Sequence, residues 1–194
     1  MDGNPNPKSK YWRGKDYSET RFAVIQWLEK ELPNVIGDVI IVSAGNWEVP
    51  KLLLTNQAVK SIKTFDQKVY GATNNKVDYY GDVHSMPKEW NNKWDCVINN
   101  QAMECYENPF LAIDEMYRIL KPNGVLLIDA PFNYRFFGQG SWDDLKQNAK
   151  DVKDYWRITR QGWGLLTKKF KNVKIEMSGP NKWDPFCYMI KAIK

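Results

Sequence analysis

One histidine, His84, stands in 194 residues, and the three cysteines, Cys96, Cys105 and Cys187, lie far apart with no CxxC pair. Zinc and redox centres need clustered imidazoles or thiolates, so this scarcity argues against any metal site, multi-histidine centres above all, and against a disulfide framework. An odd, sparse set of thiols fits a reducing compartment, and a cytoplasmic location is expected. No run of roughly 18 apolar residues occurs, so no membrane span is expected. Residues 1–10, rich in Asn, Pro and Lys, lack the apolar core of a secretion signal and read as a loose arm.

Strong charge of one sign is also missing. The 28 Lys and Arg against 23 Asp and Glu leave a net charge of +5, spread between Lys8, Lys10, Arg13 and Lys15 at one end and Lys168, Lys169, Lys171 and Lys174 near the other. Such a spread reads as solvated surface. With no basic helix and no zinc knuckle, a nucleic-acid partner is not expected. Apolar residues are plentiful, at 43%, which suffices for one sizeable core, and residues 17–194 read as one domain. Nine Trp and ten Tyr leave a surplus that can line a cleft.

Hydrophobic periodicity alternates between helix and strand. Residues 17–32 place Phe22, Ile25, Trp27, Leu28 and Leu32 at near-helical spacing, with Ser18 as a cap and Pro33 and Gly37 as terminators. Strands are expected at 38–43, 61–66, 76–81, 94–99, 125–130, 173–177 and 186–193. Further helices are expected at 47–55, at 109–120 with Phe110, Ile113, Met116, Tyr117 and Leu120 on one face, and at 158–170. Residues 121–124, Lys-Pro-Asn-Gly, should break the chain. Apolar strands separated by helices imply an α/β fold with a parallel sheet covered on both faces. Only residues 179–185 separate the last two strands, too few for a parallel crossover, so these should form an antiparallel hairpin.

In such sheets ligands bind beyond the carboxyl ends of the strands. Ser43, Ala44, Gly45 and Asn46 follow the first strand, and small residues there let a ligand approach the backbone. Asp66 and Gln67 end the second strand, where an acid can accept from two ribose hydroxyls. Asp82 and Val83 follow the third, where an acid can accept from an adenine amino group beside a backbone amide. Asn100, Gln101 and Glu104 follow the fourth. Each taken alone is also an ordinary turn or cap residue; three such features at successive strand ends are a pattern.

The stretch 94–131, WDCVINNQAMECYENPFLAIDEMYRILKPNGVLLIDAP, resembles the class I S-adenosylmethionine-dependent methyltransferases, in particular the small-molecule branch called methyltransferase type 11. Met103-Glu104-Cys105 takes the place of that branch's Leu-Glu-His, Asn108-Pro109 that of Asp-Pro, and Arg118 to Gly124 nearly repeats its Arg-x-Leu-Lys-Pro-Gly-Gly turn. A second match is Asp154-Tyr155-Trp156-Arg157-Ile158-Thr159. The resemblance implies a Rossmann-like, seven-stranded, mostly parallel sheet with a C-terminal antiparallel hairpin. It implies S-adenosylmethionine as cofactor and methyl transfer to a small molecule or glycan. The cofactor would be held by Ser43, Ala44, Gly45, Asn46, Asp66, Gln67, Asp82, Val83, Asn100 and Gln101. Pro131, Phe132, Tyr134, Tyr155 and Arg157 would shape the acceptor pocket, with residues 1–16 as an arm or lid carrying Tyr11, Trp12 and Arg13. Glu104 and Tyr155 are the candidate bases, with His84 third.

Departures are concentrated in the glycine turn. The family's acid-x-Gly-x-Gly-x-Gly reads Ile41-Val42-Ser43-Ala44-Gly45-Asn46-Trp47, so the acid that helps hold the methionine ammonium is Ile41 and only the middle glycine is kept. Asp38 and Glu48 are the nearest acids, neither in register. The alternative is a degenerate methyltransferase fold that binds or scaffolds without catalysis. Asp154 and Arg157 equally permit a simple helix-start ion pair, and the segment after Phe136-Phe137-Gly138 is either a substrate-covering insertion or a surface loop.

Overall fold

Strands that are apolar at both parities need cover on both faces, and the computed structural model provides it. It describes residues 19–44, 51–67, 77–133, 153–180 and 185–194. Seven strands, β1 (Gly37–Val42), β2 (Val59–Asp66), β3 (Tyr79–Tyr80), β4 (Trp94–Asn99), β5 (Leu120–Pro131), β6 (Lys171–Ser178) and β7 (Cys187–Ile193), form one sheet in the order β3-β2-β1-β4-β5-β7-β6. Pairing is parallel from β3 through β5; β7 runs antiparallel to both β5 and β6. The order reverses between β1 and β4, where Val42 lies beside Asn99.

Alternation along each strand divides the core into two layers. Ile40, Val42, Val97, Leu126 and Ile128 face one side, under α3 (Pro109–Ile119) and α4 (Arg160–Leu166). Val39, Ile41, Cys96, Ile98 and Leu127 face the other, under α1 (Glu19–Glu31) and α2 (Lys51–Thr55). α1 turns Ala23, Val24, Trp27 and Leu28 inward, so Phe22 and Ile25 flank the buried stripe instead of lying in it. Its last turn buries Glu31, which receives Lys191 Nζ from β7 at 2.7 Å. Ser18, expected to cap this helix, lies outside the described residues.

α3 begins at Pro109 because Asn108 Oδ1 accepts from Leu111 N at 3.0 Å, an N-cap with proline at the first helical position. Ala112, Ile113, Met116 and Ile119 are buried, whereas Phe110, expected on that face, points outward. α4 is shorter than the pattern suggests: Thr159 Oγ1 caps Gly162 N, and a turn after Leu166 still buries Phe170.

Two strand expectations are also corrected. β3 has only two residues because Asp78 takes the place of ladder contacts upstream of it: its carboxylate accepts from Thr64 N and Thr64 Oγ1, each at 2.9 Å, and its own N–H donates to Thr64 Oγ1. Residues 121–124 do turn, yet within β5. The register passes from Trp94↔Leu120 to Cys96↔Val125, so the chain arches outward, with Asn123 at φ +64° and Gly124 too close to the Lys121 carbonyl for a side chain.

Candidate functional site

The carboxyl ends of β3, β2, β1, β4 and β5 are stitched side by side. Gly81 N donates to Asp66 O at 3.0 Å, and Ala44 N to Phe65 O at 3.2 Å. Asn99 Nδ2 donates to Val42 O at 3.0 Å and to the Tyr106 hydroxyl at 2.6 Å. Gln101 donates through both its backbone N–H and its side-chain amide to Asp129 Oδ1 on β5. Ser43, Ala44, Asp66, Gln67, Asp82, Val83, Asn100 and Gln101 therefore sit on neighbouring strand ends along one edge of the sheet. Gly45 and Asn46 lie outside the described residues.

Each position has a local cause. Ser43 takes φ +55° at the end of β1, a left-handed turn that costs a non-glycine residue about 1 kcal/mol. Its hydroxyl meets the buried Tyr106 hydroxyl at 2.7 Å, which holds that turn. Asp66 is buried at the tip of β2, and its Oδ1 accepts from Gln67 N at 2.7 Å. Asp82 is exposed; its Oδ1 accepts from the His84 amide at 2.9 Å and meets His84 Nδ1 at 2.7 Å. Asn108 N donates to His84 Nε2, so the ring carries its proton on Nδ1 and both nitrogens are engaged. That leaves His84 bracing the edge, packed edge-on against Tyr106 with ring centroids 5.9 Å apart. Val83 buries its side chain in the core. Asp38 lies at the opposite edge of the sheet, bonded to Ser61 and near Lys121, and cannot stand in for the acid replaced by Ile41.

Glu104 follows β4 in a short 3-10 helix and is 2% exposed. It is neither a surface ion pair nor a cap. Burial pushes its carboxyl up to about 8, and the nearby Asp129 and Asp154 add to that against the opposing pull of Arg157. The segment 153–159 is fastened over it: Tyr155 N and Trp156 N donate to Glu104 O at 2.7 and 3.2 Å, and the Trp156 indole donates to Tyr106 O at 2.7 Å. Arg157 grips Asp154 with both arms of its fork, at 2.5 and 2.8 Å, three residues ahead of α4. Tyr155 points its hydroxyl to Glu107 at 3.3 Å near the surface; desolvation and that carboxylate both raise its pKa. Pro131 ends β5, and Phe132 just after it packs edge-on against Tyr188 at 5.5 Å. Tyr134 lies outside the described residues, as does the segment after Phe136.

Sequence reading passed over two residues. Tyr106 links the β1 and β4 ends through Ser43 and Asn99. Asp129, inside the otherwise apolar run of β5, is 0% exposed, and burial lifts its carboxyl to about 7 against the two bonds from Gln101. A lone acid two residues from the end of a buried strand was the available signal. Among the described residues no cluster of His, Cys, Asp and Glu could hold a metal ion, and no helix is long and apolar enough to cross a membrane.

Comparison with known proteins places this edge in context. The family model for a methyltransferase domain matches residues 59–185. No curated protein matches the chain. Among solved structures, the chain is similar to a SAM-dependent methyltransferase from Archaeoglobus fulgidus at 12% identity and a TM-score of 0.63, covering 91% of this chain and 95% of that one. It is similar to an S-adenosylmethionine-dependent methyltransferase from Mesorhizobium loti at 14% identity and 0.60, covering 87% and 96%. Haemonchus contortus phosphoethanolamine N-methyltransferase 2, in complex with S-adenosyl-L-methionine, is similar at 12% identity and 0.58, covering 92% of this chain and 57% of that one. At these identities the solved structures speak for the fold, and the family model covers well over half of the chain. The chain belongs to the class I S-adenosylmethionine-dependent methyltransferases.

Proposed function

We propose that this protein is an enzyme that transfers the methyl group of S-adenosylmethionine to a small-molecule or glycan acceptor. The observation that carries this reading is the row of strand ends Ser43–Ala44, Asp66–Gln67, Asp82–Val83 and Asn100–Gln101 on consecutive strands β1, β2, β3 and β4 of one sheet edge. The donor set suits the cofactor. Asp66 offers a carboxylate for ribose hydroxyls, Asp82 and the Val83 backbone an adenine-reading pair, and Asn100 a buried oxygen without a partner among the described residues.

When bound, S-adenosylmethionine supplies an electrophilic methyl group, and the protein's task is to align a nucleophile with it and keep water out. Pro131, Phe132 and Tyr155 form the acceptor side at the ends of β5 and of the segment over Glu104. Arg157 shapes it indirectly, because its fork holds Asp154. Glu104 is the base for acceptors that must lose a proton. Its raised pKa brings it close to neutral pH, where proton acceptance is efficient. Tyr155 is the weaker choice, since its pKa moves away from that range. A binding module without catalysis is the second reading. The buried Ile41, where the family has an acid, favours it.

Incubation with methyl-labelled S-adenosylmethionine and fractionated small-molecule and glycan extracts tests the proposal. Label should move into an acceptor fraction with wild type and not with Asp66→Ala. No transfer into any fraction by folded, cofactor-binding protein would favour the second reading.

A further inference from the structure

We propose that Tyr106 is a positioning residue: with the buried Asn99 it sets the direction of a hydrogen-bond chain that leaves the Ser43 hydroxyl as a donor to an oxygen of the bound ligand. Three side chains carry the inference, across the adjoining ends of β4 and β1. Asn99 Nδ2 donates to Val42 O at 3.0 Å and to the Tyr106 hydroxyl oxygen at 2.6 Å, and that hydroxyl lies 2.7 Å from Ser43 Oγ.

Donor and acceptor counts fix the order. A carbonyl only accepts, so the Asn99 atom facing Val42 O must be the amide nitrogen; turned over, the amide would set two oxygens against each other. Both Nδ2 hydrogens are then spent, on Val42 O and on Tyr106. Tyr106 therefore accepts from Asn99, and its own hydrogen goes to Ser43 Oγ. Asn99 Oδ1 does not take it, being itself without a partner. With Ser43 donating instead, a tyrosine hydrogen would be buried without an acceptor, an arrangement folded proteins avoid. Ser43 thus accepts from Tyr106 and keeps its own hydrogen for a group outside the chain. Tyr106 is its one side-chain hydrogen-bond partner among the described residues.

The chain runs outward. Asn99 and Tyr106 are buried, and Ser43 is half-buried in the turn that ends β1. A hydroxyl that accepts while it donates is polarised, so Ser43 is a stronger donor than an isolated serine. Burial, with Asp66 and Glu104 nearby, raises the Tyr106 pKa against the pull of its two hydrogen bonds, so the phenol keeps its proton and the chain its direction. Asp66 and Asp82 on the neighbouring strand ends offer carboxylates that accept; Ser43 donates. The ligand group it meets is an oxygen with a lone pair to offer, a carboxylate or a ribose oxygen. Which of the two rests on the methyltransferase reading; the order of the protons does not.

Calorimetry on the full-length protein with S-adenosylhomocysteine compares wild type, Tyr106→Phe, Ser43→Ala and the double variant. Each single change should weaken binding, Ser43→Ala by about tenfold, and the double variant should bind no more weakly than Ser43→Ala, because Tyr106 acts through Ser43. Losses that multiply in the double variant, or undiminished binding in Tyr106→Phe, would overturn the proposal. If Ser43→Ala leaves binding of 5′-methylthioadenosine, which lacks the amino-acid end, untouched, the oxygen is the carboxylate; an equal loss assigns it to the ribose. Carbon NMR of wild type in mixed light and heavy water needs no variant to fold. A slowly exchanging hydroxyl splits the signal of its carbon, so Tyr106 Cζ should be split and Ser43 Cβ single, the latter splitting when S-adenosylhomocysteine binds. A single Tyr106 signal, or a Ser43 signal that stays single with ligand bound, would contradict the chain. If the free-protein pattern holds and folded wild type binds neither nucleoside, the methyltransferase reading fails and the direction of the chain stands.

Discussion

Glu104 makes a prediction of its own about pH. Its folded pKa of about 8 lies above the ordinary carboxylate range, so the neutral form is the one the fold favours. The stabilisation is fully present below the unfolded pKa and is lost as pH rises through the folded value. Wild type should therefore weaken between about pH 5 and pH 9 relative to Glu104→Gln, by on the order of a few kcal/mol. Urea unfolding of both proteins across that range measures it; parallel curves would contradict a buried, titrating Glu104. Ser43 is the other informative residue. Ser43→Gly removes a left-handed strain of about 1 kcal/mol but also the hydroxyl contact with Tyr106, so the net change in stability should stay within about 1 kcal/mol. A loss of several kcal/mol in thermal unfolding would mean that the Ser43–Tyr106 bond is the dominant tie between the β1 and β4 ends.

Among the elements, α3 and the start of β1 depend on single positions. Asn108→Ala removes the N-terminal side-chain cap of α3 and should cost about 1 kcal/mol, read as a lowered denaturation midpoint with unchanged slope. Gly37 takes φ +75°, and a side chain there would overlap the Asp95 carboxylate, which accepts from Asp38 N at 2.7 Å and from Lys121 Nζ at 2.7 Å. Gly37→Ala should destabilise by more than about 1 kcal/mol, because left-handed strain and displacement of Asp95 add together. Near-neutral behaviour in the same assay would show that Asp95 moves without penalty. Where the periodicity misleads, the causes are side chains that replace backbone pairing. Asp78 shortens β3 by bonding Thr64, and the Lys121–Gly124 arch hides a turn inside β5. The Asp78–Thr64 contact has no local signature, since its partner lies in another strand; Lys-Pro-Asn-Gly announces the turn but not that the same strand continues on both sides of it.

For the molecule as a whole, the parallel sheet and its C-terminal hairpin followed from apolar runs and loop lengths, because strands apolar at both parities need cover on both faces; the strand order came only with the fold. The residues proposed to hold the cofactor stand out in the sequence for a related reason: an acid or a small residue ends an apolar run. Asp129 and Tyr106 were not, since an acid within a strand and a tyrosine after one acquire meaning only once β4 and β5 lie side by side. On the proposed reading, Ser43–Ala44, Asp66, Asp82 and Asn100 cradle one nucleoside-bearing cofactor. Calorimetric titration with S-adenosylhomocysteine tests it most directly. One equivalent should bind to wild type, and Asp66→Ala should lose about tenfold or more in affinity, the consequence of removing a charged hydrogen-bond acceptor. Folded wild type that gives no heat at millimolar ligand, or binding untouched by Asp66→Ala, would contradict it.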